Sequence, residues 1–115
     1  MSKIGYLNKS SDGSYEAYKG QLRTIEYNLK LLIERDPEQY DENSPTHVVF
    51  ALIGEDKVPI GVGWRKEIQR GPQFGEEFLS ITLSDPSFRE PLNVSAFKDK
   101  NGDGFEIVYR RPRQS

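Results

Sequence analysis

Apolar and polar residues alternate one by one along much of this chain, a pattern that places one face of a β-strand inward and the other outward. Leu79, Ile81 and Leu83 fall on one face of their segment, and residues 92–97 and 105–110 alternate in the same way. The alternation therefore predicts an all-β chain whose strands are each buried on one face.

The points where the alternation stops give approximate strand boundaries. We expect strands near residues 3–8, 15–24, 27–34, 47–54, 59–67, 77–83, 92–98 and 105–110. The apolar run His47–Ile53 predicts a strand buried on both faces. Pro59 is expected at the start of a strand, because proline cannot donate to a strand ladder. Residues 24–35 also show apolar positions at helical spacing, so a helix stays an alternative there.

Asp85 and Pro86 predict one short helical turn near residues 85–90, because Asp suits the N-cap and Pro the first helical position. The expected fold is thus a small antiparallel barrel or sandwich of about seven to eight strands with one short helical turn. The chain has 115 residues, which is the size of one compact domain, so we expect a single domain over residues 1–115.

Composition excludes several functional classes. The chain has no cysteine, so disulfides and thiolate chemistry are excluded. No apolar run approaches the roughly 20 residues of a membrane helix, and the first residues lack the apolar core of a signal peptide. We therefore expect a cytoplasmic protein that does not enter the membrane. The net charge of −2 means that the whole molecule does not attract nucleic acid.

The segment Asp99–Gly104 resembles the first half of an EF-hand calcium loop. Position twelve of that loop should be a bidentate Glu, but this chain has Arg110 there. A hairpin connection between two strands is the simpler interpretation. His47 is the only histidine and is interpreted as structural, so we predict no metal site and no cofactor. Gly61 and Gly63 are interpreted as positions where the strand bends or another backbone approaches closely.

No motif for a catalytic nucleophile is present, so we expect a protein that is not an enzyme. Acidic residues are abundant, and carboxylate-only chemistry such as glycoside hydrolysis remains a third functional class.

Aromatic and basic residues occur together at three places in the chain, around Tyr18, Trp64 and Tyr109, and single-stranded nucleic acid is bound by this combination. The candidate binding residues are Trp64, Arg65, Arg70, Arg110, Arg111 and Arg113. The competing interpretation is that the aromatic side chain of an alternating strand faces the core while its basic neighbour faces solvent.

Five short segments occur in a recognisable order: Ile4–Tyr6, Lys19–Thr24, Ile60–Trp64, Leu83–Phe88 followed by Pro91 and Leu92, and Arg111 with Pro112. Together they resemble the bacterial family named domain of unknown function 736, over nearly the whole chain. The resemblance implies a short bacterial protein, often encoded on plasmids and integrative elements, with no assigned activity and no catalytic residues to carry over.

These observations predict a non-catalytic binding module of bacterial mobile elements that acts on a protein partner, in conjugation, plasmid maintenance or counter-defence. The alternative is a protein that binds single-stranded nucleic acid through an aromatic and basic face.

Overall fold

The computed structural model describes residues 2–9, 17–25, 27–36, 43–86, 88–99 and 104–109. In chain order its strands are β1 Ser2–Lys9, β2 Ala17–Arg23, β3 Asn28–Arg35, β4 His47–Ile53, β5 Asp56–Glu67, β6 Glu77–Leu83, β7 Leu92–Lys98 and β8 Phe105–Tyr109. The described ranges contain no helix, and the segment for which a helix was the alternative is strand β3. The predicted all-β fold is confirmed.

Each strand pairs antiparallel with the next strand in the chain, and β1 also pairs with β8. Gly5 lies opposite Ile107 in that last pairing, which closes the sheet into an eight-stranded barrel. Of the two predicted architectures, the barrel is the one that forms. The strand register shifts between Lys3 and Gly5 and again between Val49 and Phe50. Such bulges bend and twist a strand, which a small barrel needs in order to close.

The inward side chains fill the barrel interior with a packed apolar core, as alternation predicts. The largest side chains that are fully buried there are Leu7, Leu22, Leu31, Ile33, Ile81, Leu83, Ile107, His47 and Val49.

Two expectations for β4 and β5 were wrong. Val48, Phe50 and Leu52 form the outer face of β4 and are half-buried or partly exposed rather than fully buried. In a closed barrel a strand has only one face inside, and within the described ranges no second layer of helix or sheet covers the outer one. Pro59 lies inside β5 instead of at its start. Proline is tolerated there because β6 pairs with β5 only from Gly61 onward, so Pro59 has a neighbouring strand on one side only.

Gly61 allows a close approach between two backbones. A Cβ atom at this position would collide with the carbonyl oxygen of Thr82 on β6. At Gly63 the nearest atom to an added Cβ would be Ile81 Cγ1 at 3.5 Å, which is ordinary contact. A close approach of another backbone is therefore found at Gly61, whereas the space around Gly63 is sufficient for a methyl group.

The two ends of the barrel differ in the connections that they carry. Residues 10–16, 36–46, 68–76 and 99–104 join strands at one end, which we call the loop end. The shorter turns 24–27 and 54–55 and the segment 84–91 join strands at the opposite end. In that segment the backbone N–H of Phe88 donates to the carbonyl of Asp85 at 2.9 Å, which forms a single turn that does not continue as a helix in the described residues. The Phe88 ring packs on Tyr27 with ring centroids 4.7 Å apart.

Candidate functional site

The loop end carries a pocket of about 180 Å³ that we call the mouth pocket. Its lining comes from the consecutive strands β5 to β8 and from Tyr18 on β2, which joins them because the barrel closes. The lining residues are Tyr18, Arg65, Glu77, Phe78, Leu79, Lys98 and Phe105. Mouths of β-barrels are common places for ligands, and loops on a rigid scaffold commonly carry binding residues.

The floor of the mouth pocket is apolar and aromatic. Tyr18 and Phe105 are buried, and their rings meet edge to face with centroids 5.0 Å apart and an interplanar angle of 89°. Leu79 is buried beside them on β6. Edge-to-face packing of this kind stabilises both rings by about 0.5–1.5 kcal/mol beyond the burial of their area. The floor is therefore a fixed apolar surface.

The rim of the mouth pocket is charged. The Arg65 Nε atom lies 3.1 Å from Glu77 Oε2, and the two side chains are 32% and 55% exposed. Lys98 ends β7 opposite Phe105 and adds a second cation. An ion pair this exposed contributes at most about 1 kcal/mol, because water screens it. With two cations and one carboxylate among its lining residues, the mouth pocket carries a formal charge of +1.

The backbone of Arg65 is anchored by the β3–β4 connection. Its N–H donates to Thr46 Oγ1 at 2.8 Å, and the same hydroxyl lies 2.8 Å from His47 Nδ1. His47 is fully buried inside the barrel wall, so its ring is not presented to a ligand at the surface. The hydrogen bonds of the Thr46 hydroxyl thus fix the end of β5 from which the Arg65 side chain extends.

The connection between β5 and β6, residues 68–76, presents an exposed phenylalanine, and we call it the Phe74 loop. Phe74 is 69% exposed. Four backbone hydrogen bonds close the loop, among them Ile68 N–H to the Glu76 carbonyl at 2.8 Å and Gly75 N–H to the Ile68 carbonyl at 2.9 Å. Gly71 and Gly75 have φ angles of 87° and 89°, which few residues other than glycine adopt. The loop is therefore an ordered turn with an aromatic ring on its surface.

The structure divides the predicted binding residues. Trp64 and Arg65 lie on opposite faces of β5, with Trp64 outside the barrel and Arg65 in the mouth pocket. Arg70 is exposed on the Phe74 loop at the same end as Arg65. Arg110, Arg111 and Arg113 lie outside the described residues.

The alternative in which Trp64 faces the core was wrong. Gly63 occupies the inward position, opposite Ile81 and His47, so the next side chain must point outward. Trp64 is half-buried on the outer face and donates from Nε1 to the carbonyl of Asn43 at 3.1 Å.

Sequence reasoning missed three residues of the loop end. Phe74 stands between the turn formers Pro72 and Gly75, where an aromatic residue has no strand to pack into. Glu77 and Lys98 occupy inward positions at the ends of apolar alternations. A charged residue at an inward position is a signal for the mouth of a barrel, and it was available in the sequence.

Neither a metal-ligating cluster nor a membrane-spanning helix is found among the described residues. Among those residues no group of three or more His, Cys, Asp and Glu side chains is placed to hold a metal ion. Nor does this part of the chain form any helix long and apolar enough to cross a membrane. The N–H of Asp99 donates to the Gly104 carbonyl at 2.9 Å, and Lys98 pairs with Phe105. Strands β7 and β8 therefore form a hairpin, as predicted, while residues 100–103 of its connection lie outside the described residues.

Comparison with known proteins agrees with the resemblance found in the sequence. A family model described as "Protein of unknown function (DUF736)" matches residues 3–112. No curated protein and no solved structure matches the chain. Because the match covers nearly the whole chain, this protein belongs to the DUF736 family of proteins of unknown function.

Proposed function

We propose that this chain is a non-catalytic module that binds a protein partner through the Phe74 loop. The observation that carries the proposal is the 69% exposure of Phe74 on a loop closed by four backbone hydrogen bonds. Large aromatic side chains and arginines dominate the energetics of protein interfaces, and Arg70 is exposed on the same loop. A loop that is already ordered loses less conformational entropy when it binds.

The positions of Trp64 and Arg65 give less support to a nucleic-acid partner than their adjacency in the sequence suggested. Binding of single-stranded nucleic acid requires aromatic stacking platforms and cations along one surface. Trp64 and Arg65 are on opposite faces of β5, and Arg65 is paired with Glu77. Trp64 and Arg65 therefore do not offer a base a stacking ring beside a cation on one surface.

The mouth pocket gives little support to an enzyme. Glycoside hydrolysis uses two carboxyl groups on either side of the scissile bond. Among the described residues that line the pocket, Glu77 is the only carboxylate, and it is 55% exposed beside Arg65. A binding role requires no such pair, so the proposal is for a module without catalytic activity.

The biological setting rests on the family resemblance alone. The resemblance implies a protein encoded on plasmids or integrative elements, so we extend the proposal to a partner in conjugation, plasmid maintenance or counter-defence. The partner's surface needs an apolar recess large enough to take the Phe74 ring.

The test compares three tagged proteins on a bacterial extract by quantitative mass spectrometry: the wild type, Phe74→Ala and Ile53→Ala. Ile53 is the matched control, because it is 63% exposed but lies at the opposite end of the barrel. We expect one set of proteins to be lost with Phe74→Ala, with a reduction in affinity of roughly thirtyfold, and kept with Ile53→Ala.

The capture should also persist at about 1 M salt, where the Debye length is only about 3 Å. Both substitutions are at exposed positions, so their melting temperatures should stay close to that of the wild type. The proposal fails if Phe74→Ala retains the same proteins as the wild type. It fails equally if the captured material is nucleic acid that high salt releases.

A further inference from the structure

We propose that the mouth pocket binds the carboxylate of a small ligand whose apolar body rests on the Tyr18 and Phe105 rings. This site is distinct from the Phe74 loop, so the inference goes beyond the proposed function and is tested separately from it. The ligand class follows from the floor, the rim and the size of the pocket.

The floor and the size of the pocket favour a short apolar group. Tyr18, Leu79 and Phe105 are all buried and provide an apolar surface under an open mouth. The volume of about 180 Å³ is below the roughly 300–1,000 Å³ of sites for drug-sized molecules. The pocket therefore suits one ring or one branched side chain rather than a large cofactor.

The rim favours a single negative charge. Arg65 and Lys98 outnumber Glu77, so a monoanion neutralises the lining. A phosphate dianion would leave an excess of negative charge and would be repelled by Glu77. The planar guanidinium of Arg65 also matches a carboxylate, which it binds through two parallel hydrogen bonds.

Arg65 can exchange Glu77 for the ligand with little loss. The contact from Nε to Oε2 is 3.1 Å long and both side chains reach solvent, so water screens the pair. The Thr46 hydroxyl holds the backbone of Arg65 in place, so the side chain extends from a fixed point at the rim. Glu77 is thus a competitor of the ligand, and its removal should strengthen binding.

Two sources supply this chemistry: a free small acid and the C-terminal residue of a protein chain. Both present a carboxylate on an apolar body. The experiment contains an arm for each.

The test is a titration of the full ¹⁵N-labelled chain with phenylacetate, phenylacetamide and inorganic phosphate, followed by NMR. We expect phenylacetate to move the backbone signals of Arg65, Lys98 and Phe105 saturably, and the two other probes to leave them in place. Equal binding of phenylacetamide would reduce the site to an apolar surface and overturn the proposal. Equal binding of phosphate would reduce it to a cationic patch and overturn it as well.

Three variants test the assigned roles. Arg65→Gln should weaken phenylacetate binding on the order of tenfold or more, because a charge-assisted bidentate contact is lost. Glu77→Gln should strengthen it severalfold, and Lys66→Gln should leave it unchanged, since Lys66 is exposed on the outer face of β5. Lys98→Gln, at an exposed strand end, replaces Arg65→Gln if that variant does not fold, with weaker binding again expected.

A peptide ending in phenylalanine, with a free or an amidated C-terminus, separates the two sources. Tighter binding of the free peptide than of phenylacetate identifies a chain end, and weaker binding identifies a free acid. The proposal is overturned if the amidated peptide binds as tightly as the free one, or if Glu77→Gln weakens phenylacetate binding.

Discussion

Leu31 and Leu32 are neighbours on β3 that lie on opposite faces of the barrel wall, and they allow a direct test of the fold. Leu31 is 1% exposed in the core, whereas Leu32 is half-buried on the outer face opposite Phe50. Replacing a buried leucine by alanine removes its transfer free energy and leaves a cavity, at a cost of about 2–5 kcal/mol. The outer position loses only part of the transfer term and leaves no enclosed cavity, so about 1 kcal/mol or less is expected.

These values are large enough to measure. The free energy of unfolding of a small domain is about 5–15 kcal/mol, and urea lowers it by about 1–3 kcal/mol per molar. A loss of about 3 kcal/mol in Leu31→Ala should therefore lower the urea midpoint by about 1–3 M. Leu32→Ala should shift it by a fraction of that. Far-UV circular dichroism reports the strands, and the fluorescence of Trp64, the single tryptophan, reports the β5 wall.

Equal losses of stability in the two variants would refute the assignment of inner and outer faces on β3. A larger loss in Leu32→Ala would mean that the outer face of the wall is the buried one.

Three further predictions follow from contacts in the barrel wall. Gly61→Ala should lower the free energy of unfolding by about 1–3 kcal/mol, because its Cβ would collide with a backbone oxygen. Gly63→Ala should change it by less than about 1 kcal/mol. Thermal melts measure both changes, and equal effects would contradict the difference in space around the two glycines. The fluorescence of Trp64 should be quenched readily by acrylamide. Trp64→Phe should lower the free energy of unfolding by no more than about 1 kcal/mol, since the indole N–H loses only its exposed hydrogen bond to Asn43. A blue-shifted emission that resists quenching would place the ring in the core. Calcium in excess and chelator should give the same melting temperature, because the loop Asp99–Gly104 lacks its closing Glu; a rise with calcium would contradict this.

The strands were predictable because each residue's inward or outward position repeats every second residue. The segments 77–83 and 92–98 begin and end where the alternation predicts, since their inward residues are apolar except for one charged residue at the loop end of each strand. β5 was harder. Hydrophobicity alone places Val62 and Trp64 inside the barrel. The interior positions belong instead to Gly61 and Gly63, because the neighbouring strands fill the space beside them with Ile81, Leu83 and Val49. The volume available inside a small barrel depends on partners that a local pattern does not contain.

The mouth pocket was unpredictable for a related reason. Tyr18 and Phe105 are separated by most of the chain, and their rings meet only because β8 returns to pair with β1. Charged residues at inward positions of single strands, such as Glu77, mark the rim but do not tell which other side chains join them. The site therefore depends on closure of the barrel, while the strands depend on local alternation.

The ring of pairings limits how a partner can attach. An open sheet has edge strands whose free N–H and carbonyl groups accept an additional strand from another protein. Here β1 and β8 pair with each other, so neither terminal strand offers such an edge. Where β5 extends beyond β6, it carries Asp56, Lys57 and Pro59, and charged residues and proline are the usual protection of an exposed edge. Recognition by β-augmentation is thus disfavoured, and we expect the proposed partner to bind through side chains rather than by extending the sheet.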